Sequence, residues 1–415
     1  MALVYDMGMV QEIRQNSHLL RRTLVPLLII ALPIAAMIAY ILYFKHSTPS
    51  VVDESPPSLP ATFGTEAWPL FRGNAGLTGL AAGNLPTALS LAWTFETEDA
   101  VKSTPVIAGD AAYISSTDGR VYAVDLLSGA ERWRVDTDGV LEASALFHDG
   151  RLYIGNLDGF FYSIDALTGD ILWTYEVGGK ITGSANIITA GEDKQTILVF
   201  GSYDNYLYGL DIDTGNILLK YAAQNYINGS IAVVDDKALF GSCDANIYAV
   251  PVTDPNATQT FDAGSYVAAN PAVAGNTIFA GSFEGIFLAA DMTTQDVLWR
   301  FEESQDAFFS SPAVNEQVIV VGCRDQKVYC LDRGTGQKRW TFVAQDIFDS
   351  SPVICGDTVA IGCDDGRLYL LSLETGLEIF SYTLGSPVVS SPAVAQNHLL
   401  IGCDNGMVYA FVEKR

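Results

Sequence analysis

Asp118-Gly-Arg-Val-Tyr122 is followed 40 residues later by Asp158-Gly-Phe-Phe-Tyr162, and the phrase keeps returning. It recurs as Asp204-Asn-Tyr-Leu-Tyr208, Asp244-Ala-Asn-Ile-Tyr248 and Glu284-Gly-Ile-Phe-Leu288. Three more copies are Asp325-Gln-Lys-Val-Tyr329, Asp365-Gly-Arg-Leu-Tyr369 and Asn405-Gly-Met-Val-Tyr409. Successive copies start 40, 46, 40, 40, 41, 40 and 40 residues apart, so the chain is an array of eight like units with one insertion. The first unit holds four apolar runs: Pro105-Val-Ile-Ala108, Ala112-Tyr-Ile-Ser115, Val121-Tyr-Ala-Val-Asp125 and Arg132-Trp-Arg-Val135. They are short and rich in β-branched and aromatic residues, and Gly-Asp or Asp-Gly turn chemistry separates the first three. Nothing between them has the length or period of a helix. Four short antiparallel strands in a unit of this size form the blade of a β-propeller.

A lone four-stranded sheet buries neither face, so blades must stack, which explains why both faces of Val121-Tyr-Ala-Val are apolar. The eighth unit ends at Arg415 after its third strand, while an orphan strand, Leu89-Ser-Leu-Ala-Trp93-Thr-Phe, precedes the first unit. Residues 89–95 are therefore expected to complete the last blade and close the ring, leaving no open edge. The expected fold over residues 68–415 is all-β, an eight-bladed propeller of four-stranded antiparallel blades. The insertion, Gly191-Glu-Asp-Lys-Gln-Thr196, should lengthen the turn between the first two strands of the third blade.

Composition narrows the functional classes. At 49% hydrophobic and 17% charged, the 415-residue chain is not disordered. Its 23 Lys and Arg against 48 Asp and Glu, a net charge of −25, exclude a phosphate-neutralising nucleic-acid binder and argue against lying on an anionic lipid surface. Leu24 to Phe44 is a run of 21 uncharged residues, about 31 Å as a helix, enough to cross a bilayer. Arg14, Arg21 and Arg22 precede it and only Lys45 closely follows, so residues 1–23 are expected in the cytoplasm, with the rest on the periplasmic or extracellular side. A cleaved signal peptide is the competing reading, but its apolar core is shorter. Residues 45–67, with Pro49, Pro56, Pro57 and Pro60, read as a semi-extended tether. Beyond residue 46 the chain keeps 19 Lys and Arg against 46 Asp and Glu, a net of −27, so the acidity belongs to the propeller. The expected location is the cytoplasmic membrane, with one N-terminal transmembrane helix.

Between the third and fourth strands a second pattern recurs: Ala-x-Asp-x-x-(Ser/Thr)-Gly-x-x-x-Trp. It is complete at Ala123, Asp125, Ser128, Gly129 and Trp133, and nearly so at Asp165, Thr168, Gly169, Trp173 and at Asp332, Thr335, Gly336, Trp340. The Asp and the Ser/Thr-Gly can fix a tight turn, and the Trp can fill the wedge between diverging blades, removing about 150–250 Å² from water. Trp93, Trp133, Trp173, Trp299 and Trp340 are the candidate docking residues. Leu219 and Phe380 stand in the Trp position of two blades, and Pro251 to Thr260 loses the motif, so the seam between the fourth and fifth blades is expected to be the weakest. This pattern resembles the tryptophan-docking motif of the pyrroloquinoline-quinone (PQQ)-type propellers, a family that includes quinoprotein alcohol dehydrogenases and the BamB lipoprotein of outer-membrane assembly. Trp68-Pro-Leu-Phe-Arg-Gly-Asn74 resembles the segment leading into many such propellers.

The resemblance implies two functional directions. A dehydrogenase of this family would hold PQQ and Ca²⁺ on the propeller axis beneath a ring of adjacent cysteines, and no Cys-Cys pair exists in this sequence. The expectation is a non-catalytic scaffold for other envelope proteins, a BamB-like role among them, with no cofactor or metal assigned. A small-ligand or polysaccharide sensor is the third reading. One aligned column before the first strand of each blade varies: Lys102, Glu142, Thr182, Asn228, Ala268, Phe309, Asp349 and Val389. From it, Lys102, Glu142, Asn228, Phe309 and Asp349 are the candidate partner or ligand surface at the channel mouth. Two residues later comes a uniformly small polar column, Thr104, Ser144, Ser184, Ser230, Asn270, Ser311, Ser351 and Ser391, read as bonding the crowded inner strands. Cys323, Cys363 and Cys403 share a register with Ser116, Asn156, Ser202, Ser242 and Ser282. Stacked sheets lie about 10 Å apart, beyond disulfide reach, so these three read as small buried side chains.

Overall fold

The computed structural model describes residues 66–191 and 194–414. The expected membrane helix at 24–44 and most of the tether lie outside the described residues, as do Glu192 and Asp193 of the insertion. Among the described residues no helix is long and apolar enough to cross a membrane.

Eight sheets form, each antiparallel through its four main strands. The first blade is Val106–Ala108, Ala111–Ser115, Arg120–Asp125 and Glu131–Asp136, paired in that order. Its second strand is buried throughout and its third at every interior position, whereas the fourth is half-exposed. Stacking thus covers both faces of the middle strands, and only the outer rim meets water. The Asp of the recurring phrase sits in the turn between strands two and three. Its carboxylate accepts from the Tyr hydroxyl four residues on, at 2.6 Å in Asp118–Tyr122, Asp204–Tyr208, Asp244–Tyr248, Asp325–Tyr329 and Asp365–Tyr369. That bond explains why the phrase keeps both residues at this spacing. The insertion lengthens the first two strands of the third blade, Asn186–Ala190 and Gln195–Gly201, and the turn between them.

Ring closure follows the expected route. Leu89–Glu96 pairs antiparallel with Met407–Glu413, from Leu89 opposite Glu413 to Glu96 opposite Met407, and completes the eighth blade. The segment before it does something the sequence did not announce. It circles beneath the axis and bonds to seven inner strands in turn. Trp68 exchanges backbone bonds with Ile107, and Pro69, Ala75, Gly76, Thr78 and Gly79 accept from Phe147, Val233, Val273, Val314 and Ile354. Asn186 reaches Ala75 through its side chain. Leu80–Ala81 also adds a short parallel fifth strand to the seventh blade. These bonds fall at the end of the inner strands opposite Lys102 and its column, so residues 68–81 seal one mouth of the channel.

Arg72 lies at the centre of that seal, fully buried. Its Nη2 donates to the carbonyls of Pro312 (3.1 Å) and Pro352, and burial pushes the guanidinium pKa down to about 9. Gly79, at φ +59°, is the residue this packing demands: a Cβ there would stand 1.9 Å from Nη2.

The docking tryptophans work across five of the eight seams with a regular rule. Trp93, Trp133, Trp299 and Trp340 donate Nε1 to Leu126, Ala166, Arg333 and Leu373 of the next blade at 2.8–3.1 Å. Each indole lies over the motif glycine of that blade. A Cβ on Gly129, Gly169, Gly215, Gly336 or Gly376 would come within 2.5–2.8 Å of Trp93, Trp133, Trp173, Trp299 or Trp340 respectively. The seam from the fourth to the fifth blade, where the motif is lost, carries a different docking side chain. Gln259 occupies the docking register opposite Ala249, as Trp299 does opposite Ala289, and its Nε2 donates to Met292 O at 3.0 Å. In the turn of the next blade, the register that is glycine in the Trp-covered turns is Gln295, at φ +61°.

Candidate functional site

The inner strands are tied to each other by the uniform polar column. The backbone N–H of Thr104 donates to Ser144 Oγ, Ser144 to Ser184, Ser184 to Ser230, Ser311 to Ser351 and Ser351 to Ser391, all at 2.8–3.0 Å. Asn270 continues the chain, accepting from Ser230 N and donating through Nδ2 to Ser311 Oγ at 2.8 Å. A hydroxyl girdle therefore holds the axis and frees the neighbouring column from structural duty.

That variable column lines the open mouth. A cavity of about 160 Å³ on the axis is bounded by all eight of its members, by most of the girdle and by Phe71 from the seal. Lys102 pairs with Glu142 at 3.1 Å. Asp349 is held by Arg324 through Nε (2.7 Å) and Nη2 (2.6 Å), and this bidentate bond raises the guanidinium pKa. Arg324 also lies 3.5 Å over the ring of Phe309. Thr182 Oγ1 donates to Asn228 O at 2.8 Å. Glu142 and Asp349 thus engage different cations. Among the described residues no group of three or more His, Cys, Asp or Glu is arranged to hold a metal ion.

Two further loop columns on this face went unread in the sequence. One lies two residues before the variable column and contains Tyr226 and Tyr266. The other is the residue before the turn Asp and runs Thr117, Leu157, Tyr203, Cys243, Phe283, Arg324, Asp364, Asp404. Together they divide the mouth. On blades three to six, Tyr203 stacks on Tyr226 (5.2 Å, 19°), Tyr266 on Phe283 (4.2 Å, 23°), and Phe283 meets Phe309 edge-on (6.1 Å, 72°). Tyr226 and Phe283 remain 47% and 40% exposed. On blades seven and eight the same register carries Asp364 and Asp404. Burial, then Asp349, Asp346 and Asp404, pushes Asp364 up to about 6, and burial raises Asp404. Aligning every loop position rather than one column would have exposed both arcs.

Cys323, Cys363 and Cys403 are buried, as their register suggested. Cys323 Sγ donates to Asp306 O and Ala307 O at 3.3 and 3.5 Å, where Ser116 Oγ donates to Asp99 O and Ala100 O at 3.1 Å. Burial pushes the Cys323 thiol up to about 12. These are thiols doing a hydroxyl's bonding.

The geometry defines a class: an eight-bladed propeller of tryptophan-docked repeats, latched by its N-terminal strand, with one mouth sealed and one open. A family model described as outer membrane protein assembly factor BamB matches residues 87–252, 228–342 and 324–414, and the chain belongs to that PQQ-repeat family. No curated protein sequence matches it. Among solved structures it is similar to BamB from Moraxella catarrhalis, at 20% identity and TM-score 0.67, covering 79% of this chain and all of that one. The computationally designed Ika8 protein gives 19% identity and 0.68, with 79% and 100% covered. Quinohemoprotein alcohol dehydrogenase from Comamonas testosteroni gives 14% and 0.71, with 84% and 81% covered. At these identities the likeness is one of fold.

Proposed function

We propose that this protein is a non-catalytic scaffold of the cell envelope, tethered through residues 24–44 and offering its open mouth to other envelope proteins. The observation that carries this reading is the exposed aromatic arc. Tyr226 and Phe283 present ring surface beside Arg324 on the face whose channel mouth the seal leaves open, and Tyr and Arg are residues in which binding energy concentrates at protein interfaces. The family match supports a role of the BamB kind. A photo-crosslinking residue at Tyr226, in intact cells, should capture an envelope protein. The same residue at Leu167, exposed in a turn of the opposite face, should not. Capture at neither site, or equally at both, would overturn the reading.

The dehydrogenase alternative requires a mouth that fits PQQ with Ca²⁺, and the residues present do not fit. The axial cavity of about 160 Å³ is smaller than the ~300–1,000 Å³ of ordinary ligand pockets. Its two carboxylates, Glu142 and Asp349, are already committed to Lys102 and Arg324.

A further inference from the structure

We infer that the aromatic arc receives Lys or Arg side chains from a basic segment of the protein partner. This rests on the interaction reading above and specifies the chemistry of that partner. The first support is geometric. Tyr203 with Tyr226, and Tyr266 with Phe283, are stacked pairs whose outer faces and edges line one side of the mouth. At the end of the same arc Phe309 already carries a guanidinium, that of Arg324, 3.5 Å from its ring centre. A ring face attracts a cation through its quadrupole, most strongly where water is partly excluded, and guanidinium groups favour such faces.

The second support is charge. Lys102 and Arg324, beside the cavity, are neutralised by Glu142 and Asp349, and the exposed Lys180, in the same loop column as Tyr226 and Tyr266, sets a single positive charge against Asp346, Asp364 and Asp404 on this face. Facing the arc across the mouth, Asp364 and Asp404 each keep a buried carboxylate oxygen without a protein partner. The chain's net charge of −25 adds a long-range field of the same sign. A segment bearing positive charge is drawn to this face and an acidic one is repelled. A neutral apolar segment would gain the rings and nothing from the carboxylates. Aromatic faces flanked by acids therefore select a cation on a flexible stem.

The test uses the full chain in a neutral detergent and two labelled probe peptides, one glycine-spaced with three arginines and one with three norleucines at the same positions. Binding is read by fluorescence anisotropy at low and high salt. The arginine peptide should bind about 10-fold or more tightly than the norleucine peptide, and weaken as salt rises. Tyr226→Leu and Phe283→Leu keep exposed apolar area but remove the ring face, and each should weaken the arginine peptide by about 3-fold or more. Leu167→Ala on the opposite face should change nothing. Equal binding of the two peptides, or leucine variants that bind as the parent does, would overturn the inference. If crosslinking from Tyr226 captures a partner while the arginine peptide fails, the cation chemistry falls and the scaffold role stands. If the peptide binds through the rings while no partner is captured, the reverse holds.

Discussion

The rule linking docking residue and glycine can be tested by rebuilding the motif where it is missing. At five seams an indole covers a glycine, and a Cβ there would come within 2.5–2.8 Å of it. At the fourth-to-fifth seam Gln259 holds the docking register and Gln295 the glycine register, at a φ of +61° that is costly for any residue with a Cβ. Gln259→Trp alone drives an indole into the Gln295 Cβ, and overpacking of this kind costs about 1–3 kcal/mol. That penalty cancels much of what the indole gains by burial, roughly 4–6 kcal/mol gross before the buried stem of Gln259 and lost side-chain freedom are subtracted. Gln295→Gly alone relieves left-handed strain of about 1–2 kcal/mol and loses roughly 0.5–1 to backbone entropy, so it should be nearly neutral. The double variant removes the clash and keeps the bond to Met292 O, now from the indole nitrogen. It should be about 1–2 kcal/mol more stable than the parent, with a coupling of about 2 kcal/mol between the sites. Urea unfolding of the four proteins, followed by tryptophan fluorescence and circular dichroism, measures the cycle. A coupling within about 0.5 kcal/mol of zero would show that the glycine is not there to admit the indole.

Other consequences are as direct. Trp340, 8% exposed and bonded to Leu373 O, should cost about 3–5 kcal/mol when replaced by alanine, and an unchanged urea midpoint would deny it a packing role. Asp364, raised from 3.8 to about 6, favours its protonated form in the fold, so it weakens the protein as pH rises from about 4 to 6 and carries its full penalty above that. Asp364→Asn should therefore stabilise by about 1–2 kcal/mol at pH 7.5, a figure discounted for its half-exposed position, with the gain vanishing by pH 4. Equal gains at both pH values would refute the assignment. Cys323→Ser should change stability by less than about 1 kcal/mol, because a hydroxyl satisfies the same two carbonyls in the first blade. A larger loss would mean the thiol's volume, not its bond, is what the site needs.

Periodicity exposes what the fold repeats, and the ring was legible for that reason. Asp118 and Tyr122 recur because five such pairs bond within their own turns, and the missing last strand pointed to residues 89–95 because sheet pairing tolerates no gap. The girdle was legible as a column of small polar residues. Elements that occur once carry no such signal. Residues 68–81 bind seven blades through backbone carbonyls, which any side chain could supply, so the resemblance carried by Trp68 to Asn74 marks the segment but declares neither its course nor its partners. Gln259 was hidden for a related reason. Its side chain matches the hydrogen bond of tryptophan but none of its bulk, so a search for the indole passes over it. The aromatic arc was missed because its members alternate between two loop columns and adjoin only in space.

Any selectivity in this molecule resides where the blades differ from one another. Repetition gives six of the eight blades a serine in the girdle and five seams an indole over a glycine, so those positions do little to distinguish one direction around the axis from another. The seal then removes one mouth from use, and it does so by backbone bonds that tie it to the ring rather than to anything outside. What remains free to vary is the set of loop positions on the open face, relieved of structural duty by the girdle beneath them. There the chain departs from its own symmetry, with aromatic rings over blades three to six and carboxylates over seven and eight. A surface divided in this way has a polarity that can orient a bound segment, cation toward the rings and backbone across the axial cavity, which a uniformly decorated mouth could not do.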